Sequence, residues 1–206
     1  MRLDMFYSQA KKEIISRGFA SEIEWQEQQV PEIISESFFL QEAAWVVYCS
    51  GFREATVRRC FDFISLCFCD WCSASEIVKN KNKCVSTAMY VFNNKRKHDA
   101  VAKIAQKIAN CGFNEYKHQL LCQPIQVLQE LPFIGKITSY HLAKNLGFEV
   151  AKPDRHLVRL KDFFGFSSVT KLCQHLSEIS GDPVRVVDIV LWRYMEQNGL
   201  RNLTWH

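Results

Sequence analysis

The chain places a phosphate grip and a carboxylate close together in sequence. Leu131-Pro132-Phe133-Ile134-Gly135-Lys136-Ile137-Thr138 reads as a turn between two helices, and Lys152-Pro153-Asp154-Arg155-His156 follows it. Leu131 and Pro132 end one helix. Gly135 supplies a backbone that can turn tightly and approach another backbone closely, and Ile137 onward restarts an amphipathic helix. The turn, formed by Ile134, Gly135, Lys136 and Thr138, is expected to aim the free amides of a helix N-terminus at solvent. Such amides, with the positive end of the helix dipole, bind phosphate without regard to base sequence, and Lys136 adds a point charge. Asp154 arrives nineteen residues after Gly135. A plainer reading also fits: a glycine-containing turn between core helices, then an Asp that caps the next helix.

The hairpin with its spaced aspartate resembles the helix-hairpin-helix DNA glycosylase superfamily, whose signature is Leu-Pro-x-[Ile/Val]-Gly, a helix, then a Pro/Val-Asp-x-His segment. The match is concentrated in about residues 120 to 165 and extends more loosely from Ser35 to Gly199. The resemblance implies an all-α, two-lobed helical glycosylase fold with a helix-hairpin-helix motif, forming a single unit over the chain. One lobe would comprise about residues 1 to 36 with 130 to 206, the other about 37 to 129, and the cleft between them would hold an extruded base.

What the resemblance implies chemically turns on the residue two places after the hairpin glycine. Bifunctional members carry a lysine there, which attacks the sugar C1′ and then cleaves the strand through a Schiff base. This chain has Ile137 instead. Lys136 is adjacent, but consecutive helical residues point about 100° apart, so it should face phosphates. The expectation is a monofunctional enzyme that releases a damaged, mismatched or modified base and leaves an abasic site, in base excision repair or in defence against modified phage DNA. Lys152, close to Asp154, is the residue that could supply lyase chemistry.

The task of such an enzyme is to break an N-glycosidic bond through an oxocarbenium-like transition state. A nearby carboxylate stabilises that charge and can orient or deprotonate the attacking water, so a single aspartate suffices. Asp154 is the catalytic candidate, and His156 is expected to make a local hydrogen bond or cap. Extruding a base from a duplex also needs a side chain to fill the hole. By resemblance that wedge sits in Cys49-Ser50-Gly51-Phe52-Arg53, with Phe52 as the apolar filler and Arg53 reaching a phosphate or the orphaned base. The family often has a polar residue there, and Phe52 could equally begin the next core helix. Trp45, Tyr48, Tyr140, His141 and Trp192 are the candidates to line a base pocket, since aromatic faces stack on an extruded base and polar edges read it. Nothing in the residues selects the base.

The elements that must position these groups read as helix after helix. Val101, Ile104, Ala105, Ile108 and Ala109 share one face, and Cys111-Gly112 closes their helix. Phe38 to Val47 is helical in character, and Phe52 to Cys72 is expected to form one long, mostly buried helix. Val184 to Met195 is apolar nearly all round, as a core helix is, and its Val-Asp-Ile-Val-Leu-Trp stretch resembles the closing helix behind the catalytic aspartate. Short polar breaks fall at Asn80 to Lys83, Asn93 to Lys97 and Cys111 to Asn114, with no repeat or flexible linker.

Charge is modest overall, at +4 over 206 residues, but unevenly placed. No Lys or Arg occurs between Phe19 and Phe52, whereas Lys79, Lys81, Lys83, Lys95, Arg96 and Lys97 cluster. That cluster is either a DNA-facing surface or a pair of solvated loops. Duplex DNA is the expected partner of a monomer with no membrane contact, since charges interrupt every apolar run. The nine cysteines are odd in number, and no secretory segment is expected before them. They are expected to be reduced thiols in an intracellular compartment, the cytoplasm or nucleoid in a bacterium. Cys67, Cys69 and Cys72 lack zinc-ligand partners, and Cys173 alone follows the catalytic segment, so neither metal, iron–sulfur cluster nor other cofactor is expected. Two other function classes remain open: a non-catalytic helix-hairpin-helix module that grips DNA and recruits other factors, and a helical interaction protein unrelated to DNA.

Overall fold

The structure is a computed structural model that describes residues 2–199. Every regular element among them is helical, with no strand, so the chain is all-α. The α-helices are α1 (Leu3–Ile14), α2 (Ala20–Glu27), α3 (Glu36–Cys49), α4 (Glu54–Cys67), α5 (Ala74–Lys79), α6 (Lys81–Val91) and α7 (Lys95–Cys111). They continue as α8 (Phe113–Cys122), α9 (Pro124–Gln129), α10 (Thr138–Asn145), α11 (Arg155–Phe163), α12 (Val169–Ser180) and α13 (Val184–Asn198).

The described residues form two compact units: 2–30 with 143–199, and 31–142. In the first, α1, α2, α11 and α12 pack on α13. Its core joins Phe6, Tyr7, Ile14, Leu157, Leu172, Val187 and Leu191, all at most 2% exposed. The near-continuous apolar run of α13 is explained by these neighbours on several sides. In the second unit α7 is central, packed by α3, α5, α6 and α8. The face of α7 that carries Val101, Ile104, Ala105 and Ile108 is buried, as the 3.6-residue spacing requires. Local signals set the ends of these helices. Ser35, Ser73, Asn94 and Ser168 each accept a backbone N–H from their own first turn, and Gly112, at φ 80°, closes α7.

Two expectations are corrected. Phe52 to Cys72 is not one helix: α4 starts at Glu54 and stops at Cys67, and Cys69, Asp70 and Trp71 follow with φ of 58°, 48° and 59°. Packing drives the break, because Trp71 turns back to stack on Phe68 and donates its indole N–H to Ser65 at 2.8 Å. Nor is α4 mostly buried, since Phe63 is 61% and Leu66 69% exposed.

The compact units divide at 30/31 and 142/143, where the resemblance implies lobes that divide near 36/37 and 129/130. The hairpin therefore belongs with the middle of the chain. Leu131 and Ile134 are buried, Lys107 pairs with Glu130 at 2.6 Å, and the Phe133 ring lies beside Arg96 and Lys97. No helix among the described residues is long and apolar enough to cross a membrane.

Candidate nucleic-acid interface and carboxylate site

In the second unit, the turn between α9 and α10 is built differently from its expected form. The residue in the left-handed region is Phe133, at φ 65°, and not Gly135. A Cβ placed on Gly135 would meet nothing within 4 Å, so intrachain packing does not require glycine there. The Ile134 amide donates to Leu131 O at 3.1 Å, and the Gly135 amide to Thr138 Oγ1 at 2.7 Å. Those two amides and the Thr138 hydroxyl are thus occupied internally. The amides of Lys136, Ile137 and Thr138 meet no acceptor among the described residues. They are consecutive, sit at the positive end of α10, and carry the exposed Lys136 side chain with them. The open amides of the turn thus lie at the start of α10 and not at its tip.

The loop between α3 and α4 lies in the same unit. Gly51 takes φ 78°, and Phe52 is 43% exposed ahead of the helix, with its ring 5.0 Å from that of Phe92. Arg53 is exposed at the N-cap of α4. Phe52 is accordingly not the first residue of a core helix. Of the basic cluster, Lys79, Lys83, Lys95 and Arg96 are exposed and Lys81 is half-buried. Lys97 belongs to neither expected class. It is 2% exposed and donates to the carbonyls of Val47, Tyr48 (3.0 Å) and Ser50 (2.7 Å), the last turn of α3. Burial pushes its ammonium down to about 8.

No family model matches the chain, and neither a curated protein nor a solved structure does.

Asp154 lies in the first unit and is the N-cap of α11. Its Oδ1 accepts the amides of His156 (2.9 Å) and Leu157 (3.2 Å), and its Oδ2 lies 3.9 Å from Lys152 Nζ. One oxygen is fixed by the helix end while the other takes no backbone N–H among the described residues, and the side chain is 14% exposed. The preceding segment is anchored from behind. The Lys152 amide donates to Asp188 Oδ2 at 2.7 Å, and Asp188 Oδ1 pairs with Lys144 Nζ at 3.0 Å, with both side chains of the pair at most 5% exposed. Gln26 donates to Lys144 O at 2.7 Å. Gly147, at φ 93°, packs so tightly that a Cβ would lie 2.7 Å from the Gln29 backbone, so only glycine fits.

His156 does not cap α11. It contributes an amide to Asp154, its ring accepts from Arg155 Nε at 3.4 Å, and burial lowers its pKa.

The pocket candidates separate. Tyr48 is fully buried in the core of the second unit, its hydroxyl 2.6 Å from His98 Nδ1, with desolvation raising its pKa. Trp45 is half-buried, edge-on to Phe61 at 5.1 Å and 5.4 Å from the Arg58 guanidinium. Tyr140 and His141 are half-buried on α10. Trp192, in the first unit, is half-buried beside the Arg193 guanidinium at 4.6 Å.

His98, Lys144 and Asp188 had no role in the sequence pattern, and Lys97 stood in it only as one member of the basic cluster. A signal existed for two of them: Lys97 precedes Val101 by one helical turn on the buried face of α7, and Asp188 interrupts an apolar run. Among the described residues no three His, Cys, Asp or Glu side chains gather to hold a metal ion. The nine cysteines are free thiols, Cys69 and Cys84 lying 3.9 Å apart.

Proposed function

We propose that this chain is a monofunctional DNA N-glycosylase of the helix-hairpin-helix type, with the two-lobed fold of that superfamily. The observation that carries the reading is the Asp154 carboxylate, held rigidly through Oδ1 as a helix cap while Oδ2 takes no backbone N–H. A fixed, largely desolvated carboxylate suits the stabilisation of an oxocarbenium ion, because the charge is in place before the bond breaks and costs no reorganisation. Asp154 stabilises the developing charge at C1′ and orients the attacking water, and the base departs as an anion or with hydrogen bonds from the protein. The amides of Lys136, Ile137 and Thr138, which meet no acceptor among the described residues, support phosphate binding. Ile137 in place of the nucleophilic lysine supports base release without strand cleavage.

A second reading is favoured by the same bonds. Capping α11 is by itself a sufficient reason for an aspartate at 154, and a DNA-binding module that recruits other factors would need nothing more. Mass spectrometry of bases released from damaged, mismatched and phage-modified duplexes separates the two, with Asp154→Asn beside the wild type. The glycosylase reading expects a base released by wild type, with the rate down on the order of hundreds-fold in the variant and DNA binding retained. Salt-sensitive binding with no base released by either protein would leave the binding module. A covalent adduct trapped by borohydride would overturn the monofunctional assignment and point to Lys152.

A further inference from the structure

The ammonium of Lys97 is shared by two segments of the second unit that lie far apart in sequence. It closes the C-terminal carbonyls of α3 at Val47, Tyr48 and Ser50, which is how a cation stabilises a helix end. It also faces two aromatic rings: Phe52 at 5.1 Å and Phe133 at 5.6 Å from the ring centroids. Phe52 comes from the loop after α3 and Phe133 from the tip of the hairpin. Both rings are therefore brought to one patch by a single buried charge.

The two rings are also open to solvent, Phe52 at 43% and Phe133 at 39%, although aromatic side chains of this size contribute most when buried. Phe133 has a second oddity, a φ of 65° that glycine would adopt without cost. A bulky residue held in that region and left exposed points to a use for its side chain outside the fold. The surroundings are basic. The Arg96 guanidinium lies 5.8 Å from the Phe133 ring, and the exposed Arg53 and Lys136 flank the two segments in sequence. Exposed aromatics within a cationic surface suit a polyanion with stacked bases.

We propose that Phe52 and Phe133 act together as a two-pronged apolar probe of the DNA duplex, with Lys97 as the positioning residue that holds both prongs. The proposal deepens the glycosylase reading and rests on it for the choice of DNA. Phosphate contacts by the α10 amides place the protein on the backbone, and the two rings then enter where a base has left the stack.

The test measures affinity for two DNA probes at low salt: an intact duplex and the same duplex carrying a tetrahydrofuran abasic analogue. Wild type is expected to prefer the abasic duplex. Phe133→Gly suits the observed φ, so the variant folds while lacking the ring, and it is expected to lose about tenfold of that preference, a loss typical of one stacking side chain. Phe52→Ala should lose a similar factor. Lys97→Met should lose the preference while retaining intact-duplex affinity within about threefold, because that affinity comes from phosphate contacts. If Lys97→Met fails to fold, the two phenylalanine variants decide. Full preference in Phe133→Gly, or no preference in wild type, overturns the probe. A wild type that prefers the abasic duplex but releases no base from any substrate overturns the glycosylase reading while supporting the probe. Absence of DNA binding overturns both.

Discussion

The backbone amide of Lys152 donates to the carboxylate of Asp188 at 2.7 Å, so the segment that carries Asp154 is suspended from α13. The other oxygen of Asp188 meets Lys144 in a pair closed to water. Taking two charges out of water is costly, and breaking such a pair leaves one of them uncompensated. Asp188→Ala is expected to destabilise the protein by about 3–5 kcal/mol. The double variant Asp188→Leu with Lys144→Met should recover much of that loss, because neither charge then remains buried. Urea unfolding of the three proteins measures both, and equal instability of the single and double variants would show that the pair is not coupled.

The two oxygens of Asp154 predict that its structural and chemical roles can be separated. Asparagine caps a helix about as well as aspartate, whereas alanine forfeits about 1 kcal/mol. Asp154→Asn should unfold at the wild-type urea concentration and Asp154→Ala earlier, while both lose on the order of hundreds-fold in rate on any duplex the wild type processes. Loss of activity that follows stability instead would mean the carboxylate acts only as a cap.

His98 gives the protein an acid limit. Its Nε2 lies 2.6 Å from the Phe92 carbonyl and its Nδ1 2.6 Å from the Tyr48 hydroxyl, a bridge that needs Nε2–H as donor and Nδ1 as acceptor. Burial lowers its pKa below the ordinary 6.5, so the unfolded chain binds the proton more readily. The stabilisation is complete above pH 6.5 and is lost as pH falls through the folded value, at up to about 1.4 kcal/mol per pH unit. His156 is shifted in the same direction, so the variant comparison isolates His98. Between pH 6.5 and 5, His98→Gln should lose less stability than wild type in parallel urea titrations. Parallel slopes would place the bridge elsewhere.

Much of the fold was legible because it follows from periodicity. The α7 face of Val101, Ile104, Ala105 and Ile108, the close at Gly112 and the buried α13 are consequences of 3.6-residue spacing and of a glycine where φ is positive. What could not be read depends on partners distant in sequence. Lys97 looked like one more lysine in a basic run, and only the arrival of the α3 carbonyls makes it a buried cap. Tyr48 resembled a stacking residue until His98, fifty positions away, satisfied its hydroxyl. In the hairpin, glycine's permissive backbone suggested Gly135 as the residue that turns tightly, but with Leu131 and Ile134 buried the positive φ falls on Phe133. Asp154 was found by spacing, while its anchor, Asp188, is visible in sequence only as one charge inside an apolar run.

Lys136 provides the remaining prediction, because its charge and the neighbouring amides make different demands on salt. Each phosphate neutralised by a side-chain cation releases counterions, and the logarithm of affinity falls with the logarithm of salt at about −0.9 per contact. Lys136→Ala should therefore lower affinity for every duplex by a similar factor and reduce the salt slope by about one. The amides of Lys136, Ile137 and Thr138 carry no net charge and persist in the variant, so binding should weaken without being abolished. Fluorescence anisotropy across about 50 to 200 mM salt resolves the slope, since a protein with several phosphate contacts loses orders of magnitude over that range. An unchanged slope would mean that Lys136 faces away from the phosphates, leaving the amides of α10 and the exposed Arg96 to hold the backbone.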